Sequence, residues 1–307
     1  MNRKSESEET LATAAAQPER PPLRAYLGMV AATVFWASNA VAVKLIVREL
    51  PYATAAGLRI GLAALTLAII YGARGGRFRL RQGEARQFLM LSLWGLALSF
   101  LFFTAGLYYT SVSHAVLVGA LVPVAVLLLA RMDGQERISY GKLGGLLLSL
   151  LGVFLLALDR APGSGPNWKG DLMVVAGVWS FAFFTVRSKR IAAAYDSLHF
   201  NTYCFLAAVV WFVPWLSITL PRLPWSEITW VGWSSLLYST TVGSAGAYLA
   251  YYYSLRQMKA SEVAVFHYLQ PVLATLMGVW FFQESLTPRF EVAAALILAG
   301  VFLAERQ

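Results

Sequence analysis

The chain has 307 residues, of which 58% are hydrophobic and 13% are charged, and its mean hydropathy is +0.59. Ordinary soluble domains carry roughly 25% charged residues, so this composition excludes that class and predicts an integral membrane protein. The net charge of +9 does not indicate binding to nucleic acid, because the basic residues lie between apolar runs and form no single polar face.

The first residues differ from the rest of the chain. Residues 1–23 mix both charges with Ala, Pro and Ser and contain no apolar run, which predicts a disordered cytoplasmic tail. Apolar segments follow, each close to the length of about 20 residues that a helix needs to cross a bilayer core of ~30 Å. The predicted fold is an all-α integral membrane protein with ten transmembrane helices, near residues 25–44, 53–72, 87–109, 113–130, 141–158, 170–187, 198–219, 228–253, 261–281 and 288–304.

The two halves of the chain repeat each other. Residues 113–136 match residues 261–284 without a gap, 148 positions later, with a Ser, a Pro and the closing Gln-Glu in register. Matches of these residue types are less common by chance in apolar sequence than matches of Leu or Val. The pattern predicts two copies of a five-helix unit, over residues 24–160 and 161–307.

The basic residues indicate how the chain is oriented. Cytoplasmic loops collect Lys and Arg, and with both termini inside, 18 of the 25 basic residues fall on the inner side of the predicted topology. The loop from Arg74 to Arg86 is the strongest signal. Because each copy has an odd number of crossings, the second copy enters from the opposite side, and the two copies form an inverted repeat around a central cavity.

Matched prolines mark one candidate site. Pro123 and Pro271 lie at equivalent positions of the fourth and ninth segments, where each removes a backbone donor and interrupts a helix. Matched helix interruptions point to the substrate site in inverted-repeat carriers. Packing kinks are the alternative, since membrane helices tolerate proline.

Polar side chains lie within the eighth and ninth segments. Thr240, Ser244 and Tyr248 share one face at four-residue spacing, which favours a cavity wall over close helix packing. His267 and Gln270, three residues apart, point the same way and are candidates to line the site. If transport is coupled to protons, His267 is the candidate to handle one. The more common alternative is a buried histidine with a satisfied hydrogen bond.

Arg59 is the one basic residue inside a predicted segment. Counted from the start of that segment at 1.5 Å per residue, it lies ~9 Å below the outer surface. An intramembrane charge is a functional hypothesis, and a guanidinium fits a substrate carboxylate. The alternatives are a cap on helix-end carbonyls and a side chain that snorkels to the surface.

The first segments of the two copies supply further candidates. Residues 35–44 match residues 178–187 at a slightly different offset, which pairs Trp36 with Trp179. Candidates for a polar and aromatic lining are Trp36, Asn39, Trp179 and Ser180. His114 begins the fourth segment and is expected at the membrane interface.

Acidic residues and other reactive side chains are placed unfavourably for chemistry. All sixteen Asp and Glu residues fall in the tail, in loops or at segment ends, so no mid-membrane carboxylate is expected to carry a proton or a cation. Three scattered His residues and one cysteine, Cys204, provide neither a nucleophile and base nor a disulfide or metal–thiolate site. The sequence predicts no enzyme activity, no catalytic residue, no metal and no cofactor.

Three stretches resemble the EamA family of the drug/metabolite transporter superfamily: FWASNAVAVK from Phe35, PYATAAGLRIGLAAL from Pro51, and the paired blocks at 113–136 and 261–284. The resemblance implies a bundle whose cavity is built from the first four helices of each half, with the fifth and tenth helices peripheral. It implies a carrier of the bacterial inner membrane. Where the family closes its blocks with Gly-Glu-Arg, this chain has Gln-Glu-Arg and Gln-Glu-Ser, which leaves the fold prediction unchanged.

The residues and the resemblance together predict a secondary carrier for a small amino-acid-like solute, working by alternating access, with export implied by the resemblance. Arg59 would meet a carboxylate, while Trp36, Trp179 and Tyr248 would meet an apolar side chain. The alternative is a membrane sensor or scaffold that binds a small ligand without moving it. Expected partners are the lipid bilayer and a small-molecule substrate, and not nucleic acid; the oligomeric state stays open, with a homodimer as one alternative.

Overall fold

A computed structural model describes residues 21–79, 83–132, 140–158, 167–192, 195–255, 257–258, 266 and 269–305. Within these ranges the chain is helical and contains no strand. The helices are α1 (Leu23–Glu49), α2 (Tyr52–Ala73), α3 (Glu84–Tyr109), α4 (Val112–Gly119), α5 (Val122–Met132), α6 (Tyr140–Ala157), α7 (Trp168–Ala192), α8 (Ser197–Thr219), α9 (residues 230–255), α10 (Leu269–Phe282) and α11 (Pro288–Glu305).

The helix lengths suit a membrane protein. Six stretches are long and apolar enough to cross a bilayer, namely α1, α2, α3, α4 together with the start of α5, the first 21 residues of α7, and α8 with the turn that follows it. Shorter apolar helices lie in α6 and α10. The prediction of an all-helical, multi-pass membrane protein is confirmed, while part of the predicted segment at 261–281 lies outside the described residues.

Prolines set the bounds of the first two helices. Pro22 stands directly before α1, and Pro51 directly before α2. Proline suits the start of a helix because its missing N–H would have no partner there, and it disfavours helical geometry in the residue before it. The chain therefore ends α1 at Glu49 and turns sharply into α2.

Helices of the two copies pack against each other in exchanged pairs. The first helix of one copy packs on the third helix of the other, as α1 on α9 and α7 on α3. The second helices, α2 and α8, pack on each other, and so do the fifth helices, α6 and α11. This arrangement indicates a pseudo-two-fold relation between the copies.

The contact between α6 and α11 is reciprocal residue by residue. A Cβ at Gly152 would lie 2.9 Å from the carbonyl oxygen of Ala293, and a Cβ at Gly300 would lie 2.6 Å from that of Gly145. Gly300 and Ala293 each stand 148 positions after Gly152 and Gly145. Two helices can approach this closely only where one side chain is missing, so the same pair of contacts is made twice, once from each copy.

Three interruptions shape the middle of the bundle. The fourth span breaks between Gly119, where α4 ends, and Val122, where α5 begins immediately before Pro123. Both third helices contain a π-helical turn, at Leu93–Leu98 in α3 and at Thr241–Gly246 in α9. These turns are 148 positions apart, and because such turns are rare and frequently lie at functional sites, the match marks them as part of the repeated unit.

Two clusters of buried apolar side chains fill the bundle. One includes Ile46 and Leu117, near the end of the bundle at which α1 ends. The other includes Met29, Phe88 and Phe200, near the end at which α1 begins. The middle of α1 runs between these clusters, and the candidate site lies there.

Candidate ligand-binding cavity

A cavity of about 140 Å³ lies between the two copies. Its wall takes side chains from both apolar clusters, which places it between them. The first copy contributes residues from α1 to α5, and the second contributes residues from α7, α9 and α10. The lining residues are Trp36, Asn39, Arg59, Ser99, Phe100, Phe103, Val116, Gly119, Val122, Val174, Gly177, Val178, Phe181, Gly243, Tyr248 and Gln270.

Each π turn brings a neighbouring helix close, and the turn in α9 does so at the cavity. Gly95 and Gly243 are the third residues of their turns and are 148 positions apart. A Cβ at Gly95 would overlap the side chain of Phe184, and a Cβ at Gly243 would overlap the side chain of Asn39. In each copy, therefore, the wide turn and the missing side chain let a residue from the first helix of the other copy pack against the backbone.

Arg59 supplies a buried positive charge to the cavity and is only 2% exposed. Its Nε donates to Ser239 Oγ at 2.6 Å, and its Nη1 donates to Thr104 Oγ1 at 3.0 Å. Its Cζ lies 4.8 Å from the centroid of the Phe100 ring. Hydroxyls and a ring, all neutral, thus hold this cation, and in the described parts of the chain it has no acidic partner.

These contacts bear on the alternatives for Arg59. Its acceptors are side-chain hydroxyls, so within the described residues it does not cap helix-end carbonyls, and its burial excludes a side chain that snorkels to the surface. Burying an unpaired charge is costly. A cavity that holds such a cation therefore favours a ligand with a negative charge.

Asn39 lines the same cavity and carries a buried acceptor. The residue is 6% exposed, and among the described residues its Oδ1 has no hydrogen-bond partner. Leaving a buried acceptor without a donor costs about 1–3 kcal/mol, and such groups call for an explanation. A ligand that carries an N–H or O–H group would remove this penalty.

Aromatic rings form the remaining wall around Tyr248, which is itself buried. The Tyr248 ring meets Trp36 edge to face at 5.7 Å, Phe100 at 6.1 Å and Phe181 at 6.4 Å between centroids. These separations lie in the range of favourable aromatic pairs. This part of the wall is therefore aromatic.

The structure brings together five of the residues that the sequence singled out. Trp36, Asn39, Arg59, Tyr248 and Gln270 all line the cavity. The break before Pro123 lies beside the lining residues Gly119 and Val122, and Pro271 is buried directly after Gln270. His267 lies outside the described residues.

Three other predicted lining residues lie elsewhere, with their hydroxyls directed at backbone carbonyls. Ser180 donates to the carbonyl of Trp94 at 2.6 Å, Thr240 to that of Leu237 at 2.9 Å, and Ser244 to that of Ser239 at 2.8 Å. A hydroxyl in the middle of a membrane helix must satisfy itself inside the protein. The four-residue spacing from Thr240 to Tyr248 does not hold one face here, because the π turn adds a residue to the turn between them.

Trp179 also lies away from the cavity, with 41% of its surface exposed. Phe181 takes the corresponding place in the wall and contacts Tyr248 as Trp36 does. Two residues along a helix are about 200° apart around its axis. Pairing residues 35–44 with residues 178–187 is thus two positions out of step with the structure, and this turns Trp179 to the outside of the bundle.

His114 differs from its prediction as well. It is 3% exposed and packed inside the protein beside Asp171, which is 4% exposed. The sequence places Asp171 at a segment end, but a segment end can be buried when other helices cover it. The sequence offered one signal for this pair. Asp171 begins the sixth segment, and Thr110 and His114 lie at the junction of the third and fourth segments, which lies on the same side of the predicted topology.

Comparison with known proteins places the chain in a family. The model of the EamA-like transporter family matches it twice, over residues 23–158 and 168–305. An uncharacterized transporter of Archaeoglobus fulgidus is 25% identical over 285 residues, covering 93% of this chain and 100% of the relative. The uncharacterized transporter YetK of Bacillus subtilis is 23% identical over 91% of this chain and 86% of its own length.

Two further matches concern one named activity and the fold. A biotin transporter of Salmonella typhimurium is 24% identical over 255 residues, covering 80% of this chain and 81% of the relative. A protein of known crystal structure superposes with a TM-score of 0.63 at 22% identity, covering 91% of this chain and 96% of that one. The second match shows that this helical arrangement is an established fold.

Proposed function

This chain belongs to the EamA-like transporter family, and we propose that it is a secondary carrier that exports a small amino-acid-like solute across the bacterial plasma membrane. The family is one of transporters and not of enzymes. A multi-pass protein of this family needs a bilayer and a small-molecule substrate as partners. Its substrate site, in this proposal, is the cavity between the two copies.

The observation that carries this proposal is the buried guanidinium of Arg59 in the cavity wall. Neutral partners hold it by Nε and Nη1, and a carboxylate can accept from the remaining N–H groups. In a site shielded from water such a charge-assisted contact contributes more than it would at the surface. The substrate class is therefore one with a carboxylate.

Two further features support a zwitterionic or amphipathic solute. The Oδ1 of Asn39 is an acceptor suited to an ammonium or other N–H group, and the rings around Tyr248 suit an apolar side chain. The cavity volume of about 140 Å³ is below the roughly 300 Å³ at which pockets for drug-sized ligands begin. A small metabolite fits this space better than a drug-sized molecule.

The proposed topology has ten crossings in two inverted five-helix copies, with both termini in the cytoplasm. The exchanged packing of first and third helices and the matched π turns support a pseudo-two-fold relation. Basic residues in the loop at 74–86 support the orientation. Such pairs of copies expose a central site to each face in turn when the copies exchange conformations.

The test is flux through the purified protein in lipid vesicles. Labelled leucine, phenylalanine, glutamate and biotin form the carboxylate panel, and leucinamide is the matched solute that lacks the carboxylate. We expect saturable flux of at least one carboxylate and none of leucinamide. Arg59→Gln should lower that flux about 10- to 100-fold, the effect of losing a hydrogen bond to a charged group.

Arg222→Gln is the matched control, because Arg222 is an exposed arginine at the end of α8 and away from the cavity. Its flux should stay within about twofold of the wild type, as for other exposed substitutions. Saturable binding of a carboxylate without flux in either direction would favour the sensor or scaffold. Equal flux in the wild type and Arg59→Gln would remove Arg59 from the substrate site.

A further inference from the structure

A cluster of charged and polar side chains joins the two copies at the end of the bundle where α1 ends. We call it the clasp. It surrounds the junction between α3 and α4, and two acidic residues of the second copy hold this junction of the first copy from two sides. Its members are Lys44, Thr110, Ser113, His114, Asp171 and Glu284.

Asp171 and His114 form the buried half of the clasp. Asp171 lies in the first turn of α7, where Thr110 Oγ1 donates to its Oδ1 at 2.9 Å. His114 Nδ1 lies 3.4 Å from the other carboxylate oxygen, Oδ2. The imidazole also packs on the Phe290 ring, at 5.7 Å between centroids. Residues from α3, α4, α7 and α11 therefore meet at one carboxylate and one imidazole.

Glu284 and Lys44 form the other half. Glu284 accepts from the backbone N–H of Val112 at 2.7 Å, from that of Ser113 at 3.0 Å and from the Ser113 hydroxyl. Lys44 Nζ donates to the carbonyls of Leu107 at 2.6 Å and Thr110 at 2.7 Å. The last turn of α3 is thus held by a charged side chain of α1, and the first turn of α4 by one from the connection between α10 and α11.

The charge of the clasp depends on the protons that its basic side chains carry. Asp171 and Glu284 bring two acidic groups, and Lys44 and His114 bring two basic groups, so the clasp is neutral only when both basic groups are protonated. Among the described residues, the other charged groups at this end of the surrounding helices are Arg48, which stacks over Phe282, Glu49, which accepts from Thr229, and the exposed residues Lys169, Arg289 and Glu291. Histidine is the side chain whose charge changes between about pH 5 and 8.

The clasp also lies next to the cavity. Val174 follows Asp171 by three residues, on the same face of α7, and lines the cavity. Val116, on another face of α4 from His114, lines it as well. Asp171 thus lies one helical turn from the cavity wall.

We propose that the His114–Asp171 pair is a proton-binding site that holds this end closed. His114 takes a proton from water at this end, and the imidazolium then donates through Nδ1 to the Asp171 carboxylate. When the proton returns to water, the clasp keeps a net negative charge and its two sides separate more easily. This inference rests on the proposed carrier function, since it assigns the coupling proton to that carrier.

The experiment measures a distance across the clasp in lipid nanodiscs, where both faces share one pH. Nitroxide labels are attached at Tyr108→Cys and Arg289→Cys in a Cys204→Ala background; both labelled sites are exposed. At pH 5.5 we expect one short distance, and at pH 7.5 an added longer one. One linked proton changes the ratio of closed to open molecules by at most about tenfold per pH unit.

Variants connect this response to the pair. Asp171→Asn and His114→Gln should each abolish the pH dependence of the distance. Glu291→Gln is the matched control, because Glu291 is the first-turn acid of α11 as Asp171 is of α7, but it is exposed. It should respond to pH as the wild type does.

Several outcomes would overturn the proposal. A wild-type distance that does not change between pH 5.5 and 7.5 overturns it, even if the variants fail to fold. A full pH response in Asp171→Asn, or an equal loss of response in Glu291→Gln, does so as well. The measurement needs no substrate, so the two proposals can fail separately. Flux with a constant distance would overturn only the proton site. A changing distance without flux of any solute in the panel would overturn only the carrier function.

Discussion

The third helices of the two copies have the same backbone and different chemistry. Each has a π turn with glycine as its third residue, and each glycine admits a side chain from the first helix of the other copy. At Gly95 that side chain is Phe184, in the apolar core, and at Gly243 it is Asn39, in the cavity wall. Duplication thus preserved the means by which helices approach, while the side chain that each glycine admits is apolar in the core and polar in the cavity wall.

The second helices differ in the same way. α2 carries Arg59, whereas α8 contains no Asp, Glu, Lys or Arg. Two copies that exchange conformations need similar backbones, since each must adopt the shapes of the other. A substrate with one carboxylate needs only one guanidinium, so the binding chemistry has no reason to be symmetric.

The largest effect, a loss of stability, is expected at Gly95, the glycine that packs against the apolar side chain of Phe184. Gly95→Ala places a Cβ against Phe184 and should lower the free energy of unfolding by about 1–3 kcal/mol, the usual cost of overfilling a packed core. Thermal unfolding in detergent measures it. Gly61→Ala is the control, because a Cβ at Gly61 meets no atom within 4 Å. Equal melting temperatures for the two variants would contradict the close approach in α3.

A smaller effect is expected at Asn39, the polar side chain that packs against Gly243. Here the substitution should leave stability unchanged or raise it. Asn39→Ala removes a buried acceptor that has no partner among the described residues, so the protein should unfold at an equal or higher temperature. Affinity for the transported carboxylate should fall about fivefold, the effect of losing a hydrogen bond worth ~1 kcal/mol. Equilibrium binding measures this.

Ser244→Ala is the control for Asn39, because the Ser244 hydroxyl already donates to the carbonyl of Ser239. Its affinity should match that of the wild type. A loss of affinity in Ser244→Ala equal to that in Asn39→Ala would show that the two copies share the binding chemistry more evenly than the structure indicates.

The smallest effect is expected at the first helix of the second copy, where two neighbouring aromatic residues are compared. Phe181→Leu should weaken ligand binding by about 0.5–1.5 kcal/mol, the worth of an aromatic pair. Trp179→Leu should change binding by less than ~0.5 kcal/mol, as exposed substitutions do. A larger loss of binding in Trp179→Leu than in Phe181→Leu would support the pairing of Trp36 with Trp179.

Features that repeat in the sequence were predictable from it. Pro123 and Pro271, and the two blocks that contain them, stand out because Pro, Ser and Gln-Glu are uncommon in apolar sequence. Arg59 was recognisable for the same reason, since a single charge within an apolar run has few explanations. The helical class followed from segment length alone.

Features that depend on packing were not predictable. A two-residue error of register between α1 and α7 changes few sequence matches, because both segments are apolar, yet it turns Trp179 away from the cavity. The burial of Asp171 depends on Thr110 and His114, about 60 positions earlier in the chain. Neither π turn has a residue pattern that distinguishes it from ordinary helix, so only the coordinates revealed that they match.

The reciprocal contact of α6 with α11 has a consequence for the origin of this chain. Gly152 approaches Ala293, and Gly300 approaches Gly145, so equivalent positions of the two copies make equivalent contacts. A symmetric dimer of identical subunits has the same pattern. Before duplication and fusion, a half-length ancestor would have met a second molecule of itself through this surface. The seam between the halves is then the remnant of a homodimer interface, and Ser149 and Ile297, which now face each other across it, descend from one ancestral position.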